Sequence, residues 1–185
     1  AAKTRTVLEE KQNFANWFMY YRKRHQAMRG GLAAAMEGIG GINTGMFWIN
    51  NRRTVGETDM WDMDTSAGIK DFLSDHLETV NSGGTPLRTA LNHARNQYVS
   101  STGPVTSECQ KNYTLLFTDG FSTTSSVSGI GNEDENAVAP YADTYSSTLA
   151  DVAYKAYNDR LRAGDFAAGE VQVPDACGEG TADDW

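Results

Sequence analysis

Cysteine is scarce in this 185-residue chain: Cys109 and Cys177 are the whole complement, room for one disulfide and far too few for a scaffold built on disulfides. Long apolar runs are missing as well. The longest stretches, around Met46-Phe47-Trp48-Ile49 and Leu115-Leu116-Phe117, are strand-sized, well short of the ~20 residues that cross a bilayer. Positive charge is also in short supply, with 16 Lys and Arg against 24 Asp and Glu and a formal charge of −8. That sign excludes non-specific grip on a phosphate backbone and makes nucleic acid a poor partner. An initiator Met and an apolar targeting core are both absent from Ala1-Ala2-Lys3-Thr4-Arg5-Thr6-Val7, which reads as a processed or truncated start.

What is present is an ordinary globular composition, 39% hydrophobic, in a chain about the size of one domain. Phe14, Trp17, Phe18, Tyr21, His25, Met28, Leu32, Ala35 and Ile39 recur at steps of three and four, which predicts a helix over 9–37 with a possible break at Gly30-Gly31. Arg22-Lys23-Arg24 reads as its solvated flank, and His25 and His76 read as packed side chains rather than ligands. Residues 42–50 read as a buried strand, 51–64 as a long loop, and 67–80 as a helix. Thr85 is placed as the N-cap of a further helix with Pro86 at its first position, its inner face formed by Leu87, Leu91, Ala94 and Tyr98. Residues 113–118, Tyr-Thr-Leu-Leu-Phe-Thr, read as a central strand ended by Asp119-Gly120. The Ser/Thr-rich stretch after it reads as a surface insertion, and Ser146 or Ser147 as the cap of a last helix. Alternating helices and strands imply an α/β fold with a parallel sheet.

Two segments can carry chemistry at the carboxyl edge of such a sheet. Gly83-Gly84-Thr85-Pro86-Leu87 delivers a hydroxyl, and Leu116-Phe117-Thr118-Asp119-Gly120 a carboxylate. A hydroxyl and a carboxylate with open coordination positions suit a hard cation, Mg²⁺ or Ca²⁺. His93 and Cys109 form a nucleophile and base only on paper, because no orienting group accompanies them. Asn132-Glu133-Asp134-Glu135-Asn136 lacks the ligand pattern and fixed Gly of an EF-hand loop and reads as a solvated acidic loop.

In this order the two segments resemble the von Willebrand factor type A domain, whose adhesion site takes a Thr from one such loop and an Asp from one such strand end. The wider text, Asn13-Phe14-Ala15-Asn16-Trp17-Phe18, Cys109-Gln110-Lys111-Asn112-Tyr113-Thr114 and Asp143-Thr144-Tyr145-Ser146-Ser147-Thr148-Leu149-Ala150-Asp151-Val152-Ala153, is similar to the type A region of PilY-type (PilC-type) proteins of type IV pili. The resemblance implies a Rossmann-like type A fold over 1–162, with an insertion at about 121–145 and a weakly structured Gly/Asp-rich tail over 163–185. It implies Thr85 and Asp119 as metal ligands for a divalent cation. It further implies a non-enzymatic adhesion module, exported through the periplasm to the bacterial surface at a pilus tip, with pilins or minor pilins, a host or surface ligand and the rest of its own polypeptide as partners.

The family's Asp-x-Ser-x-Ser loop and its preceding strand have no counterpart before Glu9. Asp64-Thr65-Ser66-Ala67-Gly68 matches that motif only superficially and reads as a loop and helix cap. The later strands of the family are also unmatched, so the chain reads as an internal piece with an incomplete first and last part of the sheet. Export would allow Cys109 and Cys177 to pair with each other, with cysteines elsewhere as the rival partners. The alternative function is a structural, pilin-contacting assembly domain without a working metal site.

Overall fold

The computed structural model describes residues 4–78, 82–107, 110–118, 120–123, 126–137, 140–159 and 161–162. Five helices and two short strands occur among them: α1 Val7–Tyr20, α2 Arg24–Met36, β1 Asn43–Gly45, β2 Met60–Asp62, α3 Ser66–Glu78, α4 Leu87–Val99 and α5 Leu149–Asn158. The chain divides into two units, one of Ala1–Met46 with Asp59–Asn81, the other of Phe47–Thr58 with Ser82–Trp185. The tail over 163–185 lies outside the described residues, as do Cys109, Asp119 and Cys177.

In the first unit the predicted single helix is two helices, and the break falls at Tyr21-Arg22-Lys23 instead of at the glycines. Gly30 stays inside α2 because its missing side chain admits the Tyr21 ring; a Cβ there would lie 2.9 Å from Tyr21 Cε1. That contact offsets the roughly 1 kcal/mol a helical Gly costs. A capping box starts α1, with Glu9 N donating to Thr6 Oγ1 at 3.3 Å and Thr6 N donating to Glu9 Oε2 at 2.7 Å. No residue of α1 is buried, so its stripe clusters on itself: Phe14 packs on Trp17 and Phe18, and the Arg22 guanidinium sits 4.1 Å above the Phe18 ring.

The strand expected over 42–50 shrinks to three residues. β1 pairs antiparallel with β2, with Thr44 opposite Trp61, so the region expected to be a loop supplies the partner strand and the one described sheet is antiparallel where a parallel one was expected. Amphipathic spacing did locate α3. It buries Phe72 and His76, with Trp61 edge-on to Phe72 and Phe72 stacked on His76 at 6.0 Å. As read from the sequence, Asp64 and Thr65 serve the loop and helix start: Asp64 Oδ1 accepts from Gly41 N at 2.8 Å, and Thr65 Oγ1 from Gly68 N at 3.0 Å. His25, read as packed, is exposed.

His76 is fully buried, and loss of solvation lowers its pKa below the usual imidazole value; burial lowers that of His93 too. A base with a depressed folded pKa leaves stability intact above pH 6.5, and the unfolded chain gains protons first as pH falls. Urea midpoints are therefore expected to fall between pH 7.5 and pH 5.5. His76→Gln should flatten this slope, and a slope unchanged by the substitution would contradict the assignment.

In the second unit α4 and α5 pack together, burying Leu87, Ala90, Ala94 and Val152, while Arg95 pairs with Asp159. The α5 cap is Thr148, one residue beyond Ser147, because the Thr148 and Asp151 side chains close a reciprocal capping box. Residues 113–118 are not a strand among the described residues. Tyr113, Leu115 and Phe117 are 81%, 83% and 65% exposed, and a run of strand formers without a neighbouring strand has no ladder to join. The segment is anchored by the Tyr98 hydroxyl, which donates to Tyr113 O at 2.7 Å. The supposed surface insertion also departs from expectation, since Ile130 and Asp134 within it are 7% and 2% exposed.

Candidate functional site

Residues 83–87 turn sharply into α4. Gly83 takes φ +101, a conformation open to Gly and costly for other residues, and its neighbours are the side-chain atoms of Asn50. Asn50, in the turn closed by Asn51 N donating to Trp48 O at 3.0 Å, donates from Nδ2 to Gly84 O. The Thr85 main chain is gripped from the other side by Thr123: Thr85 N donates to Thr123 Oγ1 at 2.9 Å, and Thr123 N donates to Thr85 O at 2.8 Å. A Cβ on Gly84 would stand 2.8 Å from Thr123 Oγ1, so the close approach of these two loops needs glycine at that position.

The expected role of Thr85 as helix cap is corrected by this geometry. Pro86 occupies the cap position of α4 and no side chain caps the helix; the Thr85 carbonyl instead accepts from Leu87 N at 2.9 Å. Thr85 is half-buried, and among the described residues its hydroxyl has no hydrogen-bond partner. Asp119, four residues before Thr123 in the chain, lies outside the described residues, as do Cys109 and Cys177. The loop pair thus joins the Thr85 turn to the chain that follows the LLFTDG segment.

The donors at this turn are hydroxyl, amide and carbonyl oxygens, which are hard ligands of the kind Mg²⁺ and Ca²⁺ take. In donor type they fit such an ion. No group of three or more His, Cys, Asp or Glu able to hold a metal occurs among the described residues. His93 serves packing: its ring is edge-on to Phe47 at 4.9 Å, and Gln97 Nε2 donates to its Nε2 at 3.0 Å. Gln97 also donates to Thr54 O and accepts from Gly56 N, tying the 54–56 loop to α4. Thr123 and Asn50 escaped the sequence reading, because a lone hydroxyl and a lone amide acting across 38 and 34 residues leave no local motif.

Against known proteins, the chain aligns with the type IV pilus biogenesis factor PilY1 of Pseudomonas aeruginosa. The match to strain UCBPP-PA14 is 26% identical over 178 residues, covering 83% of this chain and 15% of the relative. That to strain PAO1 is 29% identical over 182 residues, covering 79% and 15%, and that to strain PAK is 29% identical over 181 residues, covering 78% and 15%. The similarity supports a PilY1-like type IV pilus protein. The chain spans about one-seventh of these relatives' length, 15% in each case. No protein-family model and no solved structure matches it. Among the described residues no helix is long and apolar enough to cross a membrane.

Proposed function

We propose that this chain is a non-enzymatic adhesion module of a type IV pilus protein, with a von Willebrand factor type A fold, acting at the bacterial surface and pilus tip. In this reading Thr85 and Asp119 help hold Mg²⁺ or Ca²⁺, and the ion's open position accepts an acidic group from a pilin, a minor pilin or a surface ligand. The observation that carries it is the two-bond clasp between Thr85 and Thr123, four residues after Asp119 in the chain, with the Thr85 hydroxyl left without a hydrogen-bond partner among the described residues. Similarity to a pilus biogenesis factor supports the cellular setting.

The test is capture of purified pilin by the complete gene product in Ca²⁺, in Mg²⁺ and in EDTA. Capture is expected to need the cation, to weaken at least tenfold in Thr85→Ala, and to survive in Thr85→Ser, which keeps the ligand oxygen. Because Thr85 does not cap α4, Thr85→Ala should lose binding with little loss of stability. Capture that is unaffected by EDTA and by Thr85→Ala favours the structural, pilin-contacting role without a working ion.

A further inference from the structure

The acidic stretch 132–136 is solvated at Glu135 and Asn136, as its composition implies, but not at its first half. It packs against the start of α5: Ser147 N donates to Gly131 O at 2.8 Å, Ser147 Oγ to Ile130 O at 2.6 Å, and Glu133 N to Asp151 Oδ1 at 2.7 Å. Asn132 is pinned by its Nδ2, which donates to Asp143 O at 3.0 Å. These bonds draw Asp134 inward until it is 2% exposed. Its Oδ1 is buried with no hydrogen-bond partner, and the same holds for Asn132 Oδ1.

A buried carboxylate oxygen without a donor is strongly disfavoured, and such a group in a folded protein calls for a counter-charge. Among the described residues, the donors of Glu133, Thr148 and Lys155 are engaged elsewhere. Asp151 takes Thr148 N and Thr148 Oγ1 as well as Glu133 N, while Lys155 Nζ is paired with Glu133 Oε2 at 3.0 Å and reaches Asp159 at 3.8 Å. The two orphaned oxygens sit on residues two apart, Asn132 and Asp134.

We infer that Asn132 and Asp134 are ligands of a divalent cation, with Ca²⁺ the best match to an irregular loop offering one carboxylate and an amide oxygen. This proposal uses neither Thr85 nor Asp119 and does not rest on the adhesion reading. A single carboxylate places its affinity in the weak range typical of extracellular modules, about 10⁻⁴ to 10⁻³ M.

Thermal unfolding and calorimetry of the chain, with Ca²⁺ or with EDTA, test the inference. Millimolar Ca²⁺ is expected to raise the midpoint of the wild type and of Asp119→Ala, and to leave Asp134→Asn unmoved. Asn132→Asp adds a second carboxylate, so it should tighten Ca²⁺ binding by about tenfold while destabilising the cation-free chain. A wild type that does not respond to Ca²⁺ overturns the inference. So does an Asp134→Asn variant that responds as the wild type does, or an Asn132→Asp variant with unchanged affinity. Should Asp134→Asn fail to fold, the Asn132→Asp titration decides alone.

Discussion

Gly103→Ala is expected to cost about 3 kcal/mol, at the upper end of what a single added methyl does in a packed site, and to lower the unfolding midpoint by about 10 °C. An added Cβ would lie 1.8 Å from Gln97 O and 3.1 Å from Ser100 O, both main-chain atoms that cannot swing aside. The end of α4 must therefore move. That end is held by Gly103 N donating to Ser100 O at 3.0 Å and by the Arg162 guanidinium, which donates to Ser100 O at 2.9 Å and Val105 O at 2.7 Å. Gln97 is itself 3% exposed and binds the 54–56 loop, so the disturbance spreads from the helix terminus into the loop packed on it. Gly31, whose Cβ position is open, provides the control: Gly31→Ala should stabilise α2 by up to about 1 kcal/mol. Urea unfolding of both variants gives the comparison, and equal midpoints would contradict the geometry.

Asp151→Ala should be as damaging for a different reason. The carboxylate is 1% exposed and accepts from Thr148 N at 2.7 Å, Thr148 Oγ1 at 2.8 Å and Glu133 N at 2.7 Å. Truncation removes a helix-cap partner, worth about 1 kcal/mol, and strips buried N–H groups of their acceptor at about 1–3 kcal/mol each. A total near 3 kcal/mol is expected, with Asp151→Asn losing about half because the amide retains one acceptor oxygen. Burial alone would push this carboxyl up, yet the main-chain and side-chain donors of Thr148 with the N–H groups of Glu133 and Asp134 outweigh it and hold it below its ordinary value. The stability it contributes is thus complete above the unfolded carboxylate pKa of about 4 and is lost as pH falls through the lower folded value. Acid unfolding of wild type and Asp151→Asn should converge at low pH, and parallel curves would count against the assignment.

The elements legible in the sequence are those built from local contacts. α3 and α4 announce themselves by apolar spacing: α3 buries the expected Phe72 and His76, while α4 buries Leu87 and Ala94 as expected but Ala90 and Gln97 in place of the expected Leu91 and Tyr98, which stay half-buried. What escaped depends on partners far along the chain. The break near Tyr21 moved away from Gly30 because the Tyr21 ring fills the space beside that glycine, a contact no propensity scale records. Residues 113–118 have strand composition, but a strand is completed by its neighbour, and its own composition cannot supply one. The stretch 132–136 read as solvated because charge usually means solvent; acceptors on Asp151 of α5 and at Asp143, with the Ser147 hydroxyl donating to Ile130 O just before it, reverse that rule for Asn132, Glu133 and Asp134. The role of Thr85 at the α4 start was misread, since Pro86 rather than Thr85 stands at the cap.

The proposed adhesion site is tested most directly by calorimetric titration of Mg²⁺ into the complete gene product, wild type against Asp119→Ala, with pilin capture measured on the same preparations. The account predicts one Mg²⁺ site in the wild type that Asp119→Ala removes, together with cation-dependent capture, while the fold is retained. Equal Mg²⁺ binding and equal capture by the two proteins would contradict it.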